Sequence, residues 1–175
     1  MGLKRQGNYR REGPQEAIFI DAYIIARRHL LSIGIESMPY PEMLVAPMRE
    51  DLTRVGFKEL KTAKEVDTTL GTEQRTTMVA INSVCGCAAG AMRPAVALSL
   101  QNNAKPEVLL TVFAGQDLEA TEKAREYFMG YPPSSPSIAL MKKGEIVHMI
   151  ERHEIEGRSP FDIAEKLKEA YNEFC

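Results

Sequence analysis

Two cysteines one residue apart, Cys85-Gly86-Cys87, are the side chains of this 175-residue chain whose type and spacing offer chemistry. Such a pair can cycle between dithiol and disulfide, and the thiolate is the attacking species in that exchange. Gly86 suits the spacer, because a Cys-X-Cys ring is tight and glycine tolerates unusual dihedrals. Strain in so small a ring predicts a readily reduced disulfide. Cys85, facing outward, is the expected nucleophile, and Cys87 the thiol that resolves the mixed disulfide. Two other readings stay open. Both cysteines can be buried small hydrophobes, although Asn82, Ser83 and Gly86 around them are polar or small. Alternatively, the chain is a zinc-binding module in which His148 and His153 complete the ligand set of Cys85 and Cys87. Against that, His148 falls in an alternating strand and His153 in the charged run Glu151-Arg152-His153-Glu154, which reads as a solvated loop.

The elements that must position the pair are legible from pattern. Thr77–Asn82 is an apolar run typical of a buried strand, and it ends just before Cys85. Ala88–Gln101 reads as a helix starting at the motif, with Pro94 expected to kink it. A helix N-terminus has free N–H groups and a positive dipole end, so a thiolate there is stabilised. Pro41–Arg54 and Ala63–Leu70 read as earlier helices, with Gly56 stopping the first. Val108–Phe113 is a second buried strand, and Asp117 is placed to cap a helix from Leu118 to Met129. Ser137–Met141 and Glu145–Ile150 form a hairpin around Lys142-Lys143-Gly144. Ser159-Pro160 opens the last helix, as N-cap and first helical residue. Strand–helix–strand crossovers require parallel pairing of the first strands, and the hairpin adds an antiparallel pair. The expected fold is α/β: a central mixed β-sheet with helices on both faces, the thioredoxin-like arrangement.

In that arrangement Pro136, just before a strand and facing the redox helix, is where a cis peptide is held. Cis occurs in only about 5–6% of X–Pro bonds, yet the context predicts it at Ser135-Pro136, presenting a backbone edge to the substrate chain. Gly86, Ser135 and Pro136 are therefore the expected substrate-binding residues. Cys175, the last residue, reads as a passive terminus, with a third redox thiol as the alternative. A third class of function is an adaptor that uses the surface around Pro133–Pro136 for strand addition.

Composition excludes several classes. The chain is 44% hydrophobic and 26% charged, with a formal net charge of −2. That offers no global field to attract nucleic acid or an anionic membrane. The longest apolar candidate, Ala17–Ala26, contains Asp21 and runs into Arg27-Arg28-His29, so neither a membrane helix nor a secretory signal is expected. Three cysteines are an odd number and not the spread framework of a secreted disulfide scaffold. The expected location is the cytoplasm. No glycine-rich nucleotide loop is visible, so no bound cofactor is expected.

Asn82-Ser83-Val84-Cys85-Gly86-Cys87-Ala88-Ala89-Gly90, followed by Arg93-Pro94, resembles the signature of the bacilliredoxins, thioredoxin-like bacterial proteins with a Cys-Gly-Cys site. The similarity continues through Thr111–Asp117, Tyr131–Ser137, Arg152–Gly157 and the terminal Cys175. It implies removal of bacillithiol, a low-molecular-weight thiol, from mixed disulfides on cytosolic client proteins. Bacillithiol is then a co-substrate, restored by a flavoprotein bacillithiol-disulfide reductase, and disulfide isomerase activity is a related family proposal. The resemblance also divides the chain: residues 39–175 form the bacilliredoxin domain, and residues 1–38, a basic tail and one helix, form an extension. Met38-Pro39-Tyr40 resembles a family start, so residues 1–37 are expected to be optional or to come from an over-long gene model.

Overall fold

The structure, a computed structural model, describes residues 40–175. The basic tail and helix expected over residues 1–38 lie outside the described residues.

Among the described residues the first helix, α1, spans Glu42–Thr53, with Pro41 one residue ahead of it at the N-cap. The chain reverses at Gly56, whose φ of 102° lies in the region that favours glycine. It then enters a two-residue strand, β1 (Lys58–Glu59), too short to carry a readable alternation. Helix α2 (Ala63–Leu70) opens on a capping box: the Thr62 hydroxyl accepts from the Glu65 N–H, and the Glu65 carboxylate accepts from the Thr62 N–H. Strand β2 (Thr77–Asn82) is buried along its whole length, as its apolar run predicts.

After β2 the helix that starts at the cysteine pair is not a plain α-helix. Ala88–Met92 form a π-helical turn, and α3 comes next over Arg93–Ser99. The Arg93 N–H reaches back five residues to the Ala88 carbonyl. Pro94 has no N–H for the Gly90 carbonyl and its ring crowds that turn, so a widened turn precedes it where the sequence predicts a kink.

Strand β3 (Val108–Phe113) leads to α4 (Leu118–Glu126). Asp117 occupies the N-cap position of α4, but its side chain makes no capping bond. Its two carboxylate oxygens instead accept from Arg49, at 2.7 and 3.0 Å, because a buried guanidinium binds more strongly than a helix N–H. Strands β4 (Ser137–Lys142) and β5 (Glu145–Ile150) are joined by Lys143 and Gly144, both at positive φ, as a type I′ hairpin turn requires. The charged run after β5, which reads from sequence as a solvated loop, is one turn of helix, α5 (Arg152–Ile155). It folds because Ile155 is fully buried and the Glu154 carboxylate accepts from the Glu151 N–H. Helix α6 (Pro160–Phe174) begins as predicted, with the Ser159 hydroxyl accepting from the Asp162 N–H.

The sheet runs β1-β3-β2-β4-β5. β1 and β2 pair parallel with β3, β2 pairs antiparallel with β4, and β4 antiparallel with β5. Alternation along β2 builds two cores. Met78 and Ala80 pack with Met92, Val96, Leu167 and Tyr171 on the α3 and α6 side. Val79 and Ile81 pack with Val66, Leu70, Ala120 and Phe128 on the α2 and α4 side. This is the thioredoxin-like mixed sheet with helices on both faces.

Candidate active site

The parallel crossovers put the end of β2 and the start of the next helix at one edge of the sheet, and the cysteine pair lies between them. Cys85 and Cys87 are joined in a disulfide, with Cα atoms 5.4 Å apart. Both are half-buried and Gly86 is exposed, so exposure does not separate the two sulfurs. Hydrogen bonding does. The Cys85 Sγ accepts from the Ala88 N–H at 3.3 Å and from the Ser83 hydroxyl at 3.2 Å. Cys85 thus takes the place of an N-cap, with sulfur where a serine or aspartate oxygen normally sits.

Gly86 differs from the sequence expectation. Its φ is not positive, and a Cβ built on it would meet nothing within 4 Å. What glycine supplies here is open room in front of the disulfide, not an unusual backbone. Gly86→Ala is therefore expected to leave the melting temperature within about 2 °C of the parent. A thermal melt showing a loss several times larger would restore the conformational reading.

Ile81 pairs with Ser137, so the loop ahead of β4 flanks the loop that carries Cys85. The Ser135-Pro136 peptide there is cis, as predicted. Ile150 pairs with Ile138, which brings Arg152 to the same edge. The Arg152 N–H donates to the Ser134 hydroxyl at 2.8 Å, and its Nη1 donates to the Ser135 carbonyl at 3.3 Å. Between these segments lies an open polar cleft of about 370 Å³, lined by Pro133, Ser134, Ser135, Arg152 and His153 among others.

The zinc reading loses its ligand set. Among the described residues, no three His, Cys, Asp or Glu side chains gather into a metal-binding group. His153 lines the cleft just described, whereas His148 lines a separate cavity with Glu154, Lys166, Glu169 and Glu173. His148 pairs with Leu140 and shares the face of Ile150, the α6 side, by ordinary strand alternation, and its Nε2 is buried with no partner among the described residues. Burial lowers the His148 pKa, with Lys166 acting the same way and Glu154 and Glu173 opposing. The unfolded chain then binds the extra proton first. Stability should fall as pH drops below about 6.5 and level off below the folded-state value. His148→Gln is expected to flatten that part of a pH series of urea unfolding curves; an unchanged slope would assign it to other groups.

Cys175 is exposed and lies near Thr76 and Lys142, at the opposite end of the sheet from Cys85. The length of β2 separates them by on the order of 20 Å, too far for exchange within one chain. Partial desolvation raises its thiol pKa, against the hydrogen bond from Thr76.

A family model described as Disulphide isomerase matches residues 40–175. Bacilliredoxins of Koribacter versatilis and Geobacillus kaustophilus are 51% and 53% identical to this chain, over 78% of it and 94% of their own lengths. The chain belongs to the bacilliredoxin family. A bacilliredoxin of Cytophaga hutchinsonii is 54% identical over 77% of the chain and 98% of its own. The oxidised form of mitochondrial thioredoxin 3 from Saccharomyces cerevisiae is similar over 68% of this chain and 98% of its own, at 18% identity and a TM-score of 0.45. This bacilliredoxin-family chain is a thiol–disulfide oxidoreductase. Among its described residues, no helix is long and apolar enough to cross a membrane.

Proposed function

We propose that this protein removes bacillithiol from S-bacillithiolated proteins in the cytoplasm, with Cys85 as nucleophile and Cys87 as resolving thiol. The observation that carries the assignment of roles is the pair of donors on the Cys85 sulfur, the Ser83 hydroxyl and the Ala88 N–H. Donors that favour the charged form lower a thiol pKa, and the helix N-terminus acts the same way.

In the first step the Cys85 thiolate attacks the bacillithiol sulfur of the mixed disulfide. A new S–S bond forms to Cys85, and the client leaves as a thiolate and takes up a proton. In the second step the Cys87 thiolate attacks the Cys85 sulfur and expels bacillithiol. The dithiol has then given two electrons to the mixed disulfide and become the Cys85–Cys87 disulfide. Alternatively, a second bacillithiol releases the first. The resulting bacillithiol disulfide is the substrate of a flavoprotein reductase, which closes the cycle. Gly86 leaves room for the incoming sulfur, and Ser135 and Pro136 supply the backbone edge beside it. Residues 39–175 suffice for this chemistry, with residues 1–38 as an extension.

The test compares one client carrying either bacillithiol or glutathione in mixed disulfide. The reduced protein is expected to release bacillithiol the faster by about tenfold or more, equivalent to at least about 1.4 kcal/mol of discrimination. Equal rates would leave a general thiol–disulfide oxidoreductase without bacillithiol preference.

A further inference from the structure

Beneath the cysteine loop the Ser83 hydroxyl is the end of a buried polar chain whose other members the exchange steps do not use. Arg93, 5% exposed, is the first residue of α3 after the π-helical turn. Its Nη1 donates to the Ser83 carbonyl and to the Asn82 Oδ1, both at 3.1 Å, and its Nε donates to Asp51 on α1 at 2.9 Å. The Asn82 amide donates in turn to the Met48 carbonyl of α1 at 3.0 Å, and its Oδ1 also accepts from the Ser83 N–H at 2.9 Å. Ser83, 7% exposed, is therefore held at both its N–H and its carbonyl, and its hydroxyl donates to the Cys85 Sγ at 3.2 Å.

A buried guanidinium is costly to desolvate unless its donors are used. Here they tie α1 and the start of α3 to Asn82 and Ser83, just ahead of the cysteine pair. Asp51 is about half exposed, so it only partly neutralises the cation. The charged groups that these contacts bring to the loop are Arg93 and, on its far side, Asp51; the groups from β2 and from the segment before β4 are neutral.

We propose that Ser83 is a further catalytic residue, its hydroxyl holding the Cys85 thiolate, and that Arg93 is the positioning residue that aims it. This rests on Cys85 being the attacking thiol. Arg93 and Asn82 hold the Ser83 backbone on both sides, which sets the position from which its hydroxyl reaches the Cys85 sulfur. The donor is then in place before the thiolate forms, and no reorganisation is needed as the charge appears. When Cys85 is regenerated as a leaving group, the same donor stabilises it.

The test measures the rate of iodoacetamide alkylation at Cys85 against pH in full-length Cys87→Ala protein. Peptide mass localises the adduct, so that Cys175 does not contribute. Ser83→Ala is expected to raise the Cys85 pKa by about one pH unit and, at pH values well below the parent pKa, to slow alkylation about tenfold. Ser83→Thr, which keeps the hydroxyl, is expected to stay near the parent. An unchanged pKa in Ser83→Ala overturns the role of Ser83. Arg93→Lys keeps a charge but loses the planar fork that spans Ser83, Asn82 and Asp51. It is expected to raise the pKa by a similar amount, and no further when combined with Ser83→Ala. Additive shifts, or none, overturn the positioning role. If Arg93→Lys does not fold, Asp51→Asn, which frees one side of the fork, is read by the same criterion. The identity of the attacking thiol is read separately, by comparing mixed-disulfide trapping in Cys85→Ala and Cys87→Ala proteins, so the two failures are distinguishable.

Discussion

Cys87→Ala protein incubated with a bacillithiolated client is expected to accumulate one bacillithiol adduct on Cys85, with the client released as free thiol. The resolving sulfur is gone, so the first exchange proceeds and the second stalls. Cys85→Ala protein is expected to lose exchange altogether, because Cys87 lacks the two donors that the Cys85 sulfur has. Intact-mass spectrometry reads both outcomes in one experiment. An adduct on Cys87 in the Cys85→Ala protein, with none on Cys85, would reverse the two roles. Transfer in neither variant would leave the thiol–disulfide oxidoreductase and remove bacillithiol as its co-substrate. The distinction depends on thiolate population: the lower-pKa thiol is the more often charged near neutral pH, and it also leaves faster in the reverse direction.

Asp117→Ala should cost about 3 kcal/mol of folding stability, the largest expected effect outside the cysteines. Arg49 is 6% exposed and lies over the Phe113 ring at 5.0 Å. Asp117 binds it through both oxygens and Glu59 through one, at 2.7 Å. Those carboxylates hold the Arg49 pKa above its ordinary value although burial, the largest single influence, works to lower it. Removing Asp117 leaves a buried guanidinium with only part of its partners. Glu42, by contrast, is 61% exposed and 3.4 Å from Arg49, and Glu42→Ala should cost under about 1 kcal/mol. Urea unfolding of the two variants tests the pair together. Equal costs would mean that burial does not set the strength of this cluster. The consequence reaches the active site, because Arg49 pins α1 to β1 and to the end of β3. Its neighbours Met48 and Asp51 are the α1 groups that hold Asn82 and Arg93.

The reactive pair, the strand before it and the helix after it are legible in the amino-acid order alone. Cys-Gly-Cys at the end of an apolar run is a local pattern, and local patterns arise from propensity and hydrophobic period. The hairpin and the Ser159 cap are legible for the same reason, since each rests on one or two residues in a fixed context, whereas the cis peptide at Pro136 is expected only through the thioredoxin-like arrangement that the element order implies. Gly86 invites a conformational reading because glycine usually has a conformational role. Only the folded backbone shows an ordinary φ and open space there.

The surroundings of the sulfur, in contrast, come from packing. Arg93 enters the sequence reading only beside Pro94 as part of the bacilliredoxin-like signature, and nothing in the pattern shows what its side chain binds. A π-helical turn adds one residue to the preceding turn and rotates the rest of the helix by about 100°. A straight 3.6-residue period therefore cannot place Arg93 under the cysteine loop. Asp117 carries the pattern of a helix cap, but its partner, Arg49, is 68 residues away in sequence. Charged partners at that separation leave no periodic trace, because the attraction depends on distance in space and on burial, and neither is encoded locally. Chain order and side-chain type set where the chemistry starts; packing between α1, β2 and α3 sets which sulfur is held by donors.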